Sequence, residues 1–156
     1  MNRRLAHRGP DAEGYFHQGP AYFGHRRLSV IDIASSLQPM STADGRHTIV
    51  YNGEVYNYRA LRQQLKANGR IFRTAGDTEV TLQAIAHWQD AALNHLQGMF
   101  SFAAWDADRQ SLFAARDHLG VKPFHYFWDG KLFAFASELK ALLEHPAVPK
   151  EIDLDA

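Results

Sequence analysis

The stretch MFSFAAW, residues 99–105, decides the fold class, because it carries apolar side chains on both alternating faces of an extended strand. A strand with one face in water would instead alternate apolar with polar residues. Residues 112–115, 124–128 and 132–136 repeat this texture, and turn clusters rich in Asp and Gly separate them. These spacings predict antiparallel hairpins whose sheets lie between other layers, so we expect an α+β protein with an α/β/β/α sandwich.

Apolar periodicity predicts the helices of the outer layers, one over residues 58–68 and one over residues 77–88. Asp77 or Thr78 is a candidate N-cap for the second helix, and Ser137 is a candidate N-cap for a third, short one.

The composition sets limits on the function. The chain has 156 residues, 17 Lys and Arg against 17 Asp and Glu, and no cysteine. Zero net charge argues against a nucleic-acid or membrane-surface role driven by bulk charge. No apolar run approaches the ~20 residues that span a bilayer, and no secretory signal is present, so we expect a cytoplasmic protein. The lack of cysteine excludes disulfides, thiolate zinc sites and cysteine nucleophiles within these residues.

Metal and phosphate sites receive no support from the sequence. The nine histidines are scattered, with no pair at metal-ligand spacing on a helix, and no glycine-rich phosphate loop is present. Asp106 and Asp108 could bind a metal, but a hairpin turn explains them better. We therefore expect no metal site and no cofactor in this chain.

Two charged residues are candidates for a ligand site. Arg27 shares a face with Phe23 and Ile31 if its strand is regular, so it needs an internal salt bridge or a ligand carboxylate. Asp77 either caps its helix or holds the ammonium group of a small amino acid. Arg27 and Asp77 would clamp a zwitterion only if the fold brings them together.

The dipeptide Asn52-Gly53 has two interpretations. It stands between two apolar runs, where it predicts a tight β-hairpin turn. A tight turn also leaves convergent backbone N–H groups, and such groups can form an oxyanion hole.

Eight motifs in order carry a resemblance to a known family. They occupy residues 7–14, 24–32, 38–40, 51–58, 77–80, 98–106, 115–123 and 136–143. The set resembles the class II glutamine amidotransferase (glutaminase) domain of glutamine-hydrolysing asparagine synthetases. The resemblance implies a four-layer αββα sandwich of the N-terminal nucleophile hydrolase type with antiparallel sheets.

The resemblance also implies roles for individual residues. The arginine that matches Arg27 binds the carboxylate of the substrate, L-glutamine. Asn52 and Gly53 match the oxyanion hole, and Glu54 and Asp77 match the residues that hold the substrate's amino-acid end. The family's nucleophile is a cysteine at the start of the mature chain, which attacks the glutamine amide. No cysteine is present here, so we expect the first strand to be missing and the chain alone to be inactive.

The domain expectations follow from the same resemblance. Residues 1–143 are expected to form the amidotransferase domain, incomplete at its N-terminus, and residues 144–156 to begin a linker. The partner would be a synthetase domain that uses ATP and magnesium to amidate aspartate in asparagine biosynthesis. The resemblance also allows a homodimer of the full-length protein. The alternatives are a non-catalytic glutamine-binding or interaction module, and the glutaminase half of a synthetase with another acceptor. A missing strand would expose unpaired edges, so we expect the isolated chain to aggregate or oligomerise.

Overall fold

The computed structural model describes residues 1–28 and 37–151. Within these ranges its strands are β1 (Ala12–Gln18), β2 (Ala21–Arg27), β3 (Met40–Ser41), β4 (His47–Val55), β5 (Gly98–Asp106), β6 (Ser111–Arg116), β7 (His125–Trp128) and β8 (Phe133–Ala136). They form a four-stranded sheet in the order β3-β4-β5-β6 and two hairpins, β1-β2 and β7-β8. Every pairing between these strands is antiparallel, as predicted.

The helices of the same ranges are α1 (Tyr58–Ala67), α2 (Asp77–Trp88) and α3 (Leu139–Leu142), with 3-10 helices over Asn2–Arg8 and Gln89–Asn94. The two predicted long helices are confirmed. The predicted caps are wrong, because Gly76 precedes α2 and Glu138 precedes α3 as the capping residues. None of the helices described is both long and apolar enough to cross a membrane.

The four-stranded sheet is buried on both faces. One face packs against α1 and α2, where Leu65 and Leu82 meet the rings of Phe100 and Phe102 in the largest apolar cluster. Successive side chains of a strand point to opposite faces. The other face therefore presents Val50, Ala103 and Trp105, which pack with Phe23 of β2 and Phe135 of β8.

A fourth layer covers the two hairpins. Ala134 and Ala136 of β8 pack against Leu142 at the end of α3, and Leu5 of the first 3-10 helix joins the same cluster. The order of layers is thus helices, sheet, hairpins, helices, and it confirms the expected αββα sandwich.

The hairpin β7-β8 departs from the expectation that its strands avoid water. Tyr126 is 65% exposed and Trp128 is 57% exposed, although the β8 partner strand buries two of its alanines. The reason is that, among the described strands, β7 pairs with β8 alone and so forms a border of this part of the fold.

Two predictions concern segments near the boundaries of the described residues. The strand predicted around Arg27 is confirmed as far as the end of β2, whereas Ile31 and the rest of that motif lie outside the described ranges. Near the C-terminus, Val148 is buried and Glu144 accepts a 2.8 Å hydrogen bond from Arg4. These residues pack on the domain, and the linker beginning at residue 144 stays a prediction.

Candidate functional site

A cavity of about 700 Å³ lies between the central sheet and the two hairpins. Its lining includes all five residues that the sequence singled out, namely Arg27, Asn52, Gly53, Glu54 and Asp77. They come from β2, β4 and the start of α2, so the fold brings together residues that are up to 50 positions apart. Arg27 and Asp77, which would clamp an amino acid only if the fold brought them together, thus line the same cavity.

Arg27 reaches the cavity from the last position of β2, and only 7% of its surface is exposed. The end of β2 packs directly on the backbone of Gly9, because a Cβ on Gly9 would overlap the peptide between Arg26 and Arg27. The backbone N–H of Asp11 then donates to the Arg27 carbonyl over 3.1 Å. The segment HRGPD, residues 7–11, therefore supports the strand end that presents the guanidinium.

Asn52 and Gly53 lie inside β4, and the predicted hairpin turn is wrong. β4 runs unbroken through both residues, which pair with Ser101 and Phe100 of β5. A Cβ on Gly53 would lie 2.7 Å from the Phe100 Cα and closer still to the Met99 carbonyl. Glycine is present here because β5 approaches closely, not because a turn requires it.

The N–H of Gly53 points away from β5, toward the other edge of β4. Successive residues of an antiparallel strand direct their N–H groups to opposite edges. The N–H groups of Tyr51 and Val55 point away from β5, because they donate to Gln38 and Asp77 respectively. Gly53 lies between them at the same alternation, and in residues 1–28 and 37–151 no acceptor meets its N–H.

Asp77 stabilises this edge from the first residue of α2. Its Oδ2 accepts hydrogen bonds from the Tyr51 hydroxyl at 2.7 Å and from the Val55 N–H at 3.0 Å. Burial and the nearby Asp77 carboxylate raise the pKa of the Tyr51 phenol, which therefore stays protonated and donates. The carboxylate thus acts on β4 rather than as the predicted helix cap.

Two further side chains meet β4 at the Tyr51 carbonyl. Gln38 Nε2 donates to it over 3.0 Å, and His25 Nε2 lies 3.2 Å away. Since a carbonyl only accepts, the His25 proton is on Nε2. Burial, aided by the Arg27 charge, lowers the pKa of His25 to about 4, so the ring is neutral at pH 7.

Sequence reasoning missed Gln38, Tyr51 and His25. The motif at residues 38–40 contained Gln38, but no local pattern shows that its amide meets a residue of another strand. The sequence indicates only that Tyr51 is a buried strand residue, because no local pattern shows that its hydroxyl donates to Asp77.

The acidic pair at the β5-β6 turn is a structural feature. Arg46 binds both oxygens of Asp106, at 3.1 and 2.9 Å, and pairs with Asp108 at 3.1 Å. Asp106 is the last residue of β5 and Asp108 lies in the turn that leads to β6, so the turn interpretation is confirmed. Over the described ranges, no group of three or more His, Asp or Glu side chains is placed to hold a metal ion.

Comparison with known proteins decides the family. A model of the glutamine amidotransferase domain matches residues 1–156. The chain belongs to this family. Glutamine-hydrolysing asparagine synthetase 3 of Bacillus subtilis is 47% identical over 98% of the chain, and asparagine synthetase 1 of that organism is 43% identical over 99%.

These relatives are much longer than this domain. The amidotransferase chain covers 25% and 24% of the two synthetases, so it spans about a quarter of their length. Among solved structures, the glutamine phosphoribosylpyrophosphate amidotransferase of B. subtilis is similar in fold, with a TM-score of 0.62. It is 25% identical, and the match covers 78% of this chain and 28% of that one. The shared fold agrees with the sandwich described above.

Proposed function

We propose that the cavity binds L-glutamine as the substrate site of a glutaminase domain. The observation that carries this proposal is the gathering of one buried cation and two carboxylate residues around a single cavity. A free amino acid offers one carboxylate and one ammonium group. Arg27 would receive the α-carboxylate in a charge-assisted pair, and Glu54 and Asp77 would attract the α-ammonium.

The free edge of β4 supplies the second part of the site. When a nucleophile adds to the side-chain amide of glutamine, negative charge develops on the carbonyl oxygen. Preorganised N–H donors stabilise that charge, and the Gly53 N–H is a donor without a partner in the described chain. With the Asn52 side chain on the neighbouring face of the strand, it would form the oxyanion hole.

The cysteine that serves as nucleophile in the family is the part that these 156 residues do not contain. The chain has no cysteine, and the Ser41 hydroxyl on β3 bonds to Thr48 at 2.8 Å. We therefore expect the polypeptide itself to bind glutamine without hydrolysing it. Catalysis would require a thiolate placed in the cavity beside Gly53.

The role of the longer protein is proposed from its relatives. Their names as glutamine-hydrolysing asparagine synthetases support a protein that passes ammonia to a synthetase domain. That domain would use ATP and magnesium to amidate aspartate in the cytoplasm, whereas the glutaminase step needs no cofactor. A synthetase with another acceptor would keep the same glutamine site.

Calorimetry tests the binding proposal. We expect micromolar binding of L-glutamine to the 156-residue protein, and a loss of at least tenfold in affinity for Arg27→Ala. Arg59→Ala, on the exposed surface of α1, is the matched control and should bind like the parent. No heat of binding with the folded parent would overturn the proposal.

An activity assay tests the expectation about the nucleophile. Purified protein should release no glutamate from glutamine above buffer, and hydroxylamine should trap no acyl intermediate. Glutamate production that follows the protein through purification would show that a group other than cysteine performs the attack.

A further inference from the structure

Gln38 occupies a place where the sheet would otherwise continue. β3 pairs with β4 through Met40 opposite Ile49 and Ser41 opposite Thr48. Extending that register by two residues sets Gln38 opposite Tyr51. Gln38 does meet Tyr51 there, but with its side chain instead of its main chain.

The side-chain amide of Gln38 replaces a peptide group. Its Oε1 accepts from the Tyr51 N–H at 2.6 Å, and its Nε2 donates to the Tyr51 carbonyl at 3.0 Å. An antiparallel partner strand would make the same two bonds. Both main-chain groups of Tyr51 are therefore satisfied without a neighbouring strand.

The main chain of Gln38 lies against the hairpin β1-β2 instead. A Cβ on Gly14 of β1 would overlap the Gln38 carbonyl oxygen, so the two backbones are in close contact. Residue 14 is a glycine in a strand, where it allows another backbone to approach. This contact draws the chain that leads into β3 away from the edge of β4.

Gly53 is the next residue of β4 whose N–H points away from β5. A main-chain ladder that continued past Tyr51 would also cover Gly53, whereas the Gln38 side chain bonds to Tyr51 alone. Farther along the same edge, Asp77 accepts a hydrogen bond from the Val55 N–H. The Gly53 N–H thus lies between two hydrogen-bonded residues, and within residues 1–28 and 37–151 no acceptor meets it.

We propose that Gln38 is a positioning residue that ends the sheet edge at Tyr51 and so reserves the Gly53 N–H for the side-chain carbonyl of the substrate. This inference rests on the proposed function, since it assigns the carbonyl of glutamine to that N–H. A primary amide suits the task because it carries one acceptor and two donors. A carboxylate at this position lacks the donor, and a thioether of similar size lacks both strong groups.

The test compares two amino acids whose side chains have the same length on the 156-residue protein. L-Glutamine carries the side-chain carbonyl, whereas L-norleucine has the same backbone charges and an apolar side chain. In Gln38→Met we expect glutamine to bind about three to ten times more weakly, the loss typical of one hydrogen bond, with norleucine binding within twofold of the parent. Gln64→Met, on the exposed side of α1, is the matched control and should change neither affinity.

The Gly53 amide provides a second readout that a purely structural role would not move. In nitrogen-edited NMR spectra its signal should shift when glutamine is added to the parent but not when norleucine is added. The shift should shrink in Gln38→Met. Gln38→Glu, which keeps the acceptor for Tyr51, serves the same test if the Met variant does not fold.

The outcomes separate this inference from the proposed function. If folded parent protein binds neither ligand, the glutamine site is wrong and the inference is wrong with it. If the parent binds both ligands and both Gln38 variants weaken them equally, or leave glutamine unaffected, the glutamine site stands and the role of Gln38 is refuted. Arg27→Ala should weaken both ligands and marks the amino-acid end of the site.

Discussion

Tyr51 connects the elements of the site at the scale of single residues. Its phenol donates to Asp77 of α2, and its main-chain groups bond to Gln38 before β3 and to His25 of β2. In this setting every polar group of a buried tyrosine is used. These hydrogen bonds hold the edge of β4 in place before any ligand arrives.

His25 makes the stability of the domain depend on pH. Its pKa is about 4 in the fold and 6.5 when unperturbed, so the fold favours the neutral ring. That stabilisation is complete above pH 6.5 and is lost as the pH falls toward 4. Between pH 7.5 and pH 5 we expect a loss of about 2 kcal/mol in the free energy of unfolding that His25→Gln does not show.

Urea unfolding at several pH values measures this difference. His47, whose pKa burial also lowers, is present in both proteins, so the comparison isolates His25. Equal pH dependence in the parent and in His25→Gln would contradict the prediction.

We expect substitutions of Asp77 to lower the free energy of unfolding and the glutamine affinity independently. Asp77→Ala leaves the buried donors of Tyr51 and Val55 without an acceptor and should cost about 3 kcal/mol in the free energy of unfolding. Asp77→Asn keeps an oxygen for those donors and should cost about 1 kcal/mol. Both variants should lose at least tenfold in glutamine affinity, because neither attracts an ammonium group.

Chemical denaturation and calorimetry on the same preparations separate the two effects. An Asn variant as unstable as the Ala variant would show that the charge, and not the acceptor oxygen, stabilises β4.

At the scale of elements, the parts of the fold with strong local patterns could be predicted from the sequence. The apolar stripe of α1 and the two apolar faces of β5 are repeated signals within one segment, and both elements formed where expected. The dipeptide Asn52-Gly53 misled the prediction because turn propensity is local. The contact that requires glycine comes from Phe100, which is 47 residues away.

The candidate site likewise has parts that the sequence predicts and parts that depend on contacts between distant residues. Its residues could be proposed from the family resemblance, but the clamp that Gln38 forms on Tyr51 depends on the register of β3 against β4, which no sequence pattern displays. The path of the loop before α2 is equally non-local. The buried carboxylate of Glu79 accepts from the N–H of Thr74 at 2.7 Å and from its hydroxyl at 2.8 Å.

The close approach of β4 to β5 at Gly53 gives a prediction about these two elements. Gly53→Ala puts a methyl group against the Met99 carbonyl and the Phe100 Cα, so the strands must separate locally. We expect a loss of about 2 kcal/mol in the free energy of unfolding, as for other overpacked sites. Gly24→Ala is the control, because its added methyl meets only the side chain of Asn2, at 3.3 Å.

Urea unfolding measures both variants. A Gly53→Ala protein as stable as Gly24→Ala would mean that β5 yields to the methyl group without cost.

At the scale of the whole molecule, the cavity exists because the second layer is divided. The four-stranded sheet is continuous, whereas β2 and β8 each pair with only one neighbour in the described chain. Phe23 and Phe135 meet across the division with ring centroids 5.9 Å apart. The proposed glutamine site therefore lies beside edges of β2 and β8 that no further strand of the described chain covers.

These edges predict that the isolated chain self-associates. Unpaired strand edges recruit strands of other molecules, and the exposed rings of Tyr22 on β2 and Tyr126 on β7 add apolar surface there. We expect light scattering after size exclusion to give a mass that rises with protein concentration. A lysine on an edge strand opposes such pairing, so Tyr22→Lys with Tyr126→Lys should lower the mass toward 17.7 kDa. Tyr56→Lys, equally exposed but outside the strands, should leave the association unchanged, and a monodisperse monomer of the parent chain would contradict the prediction.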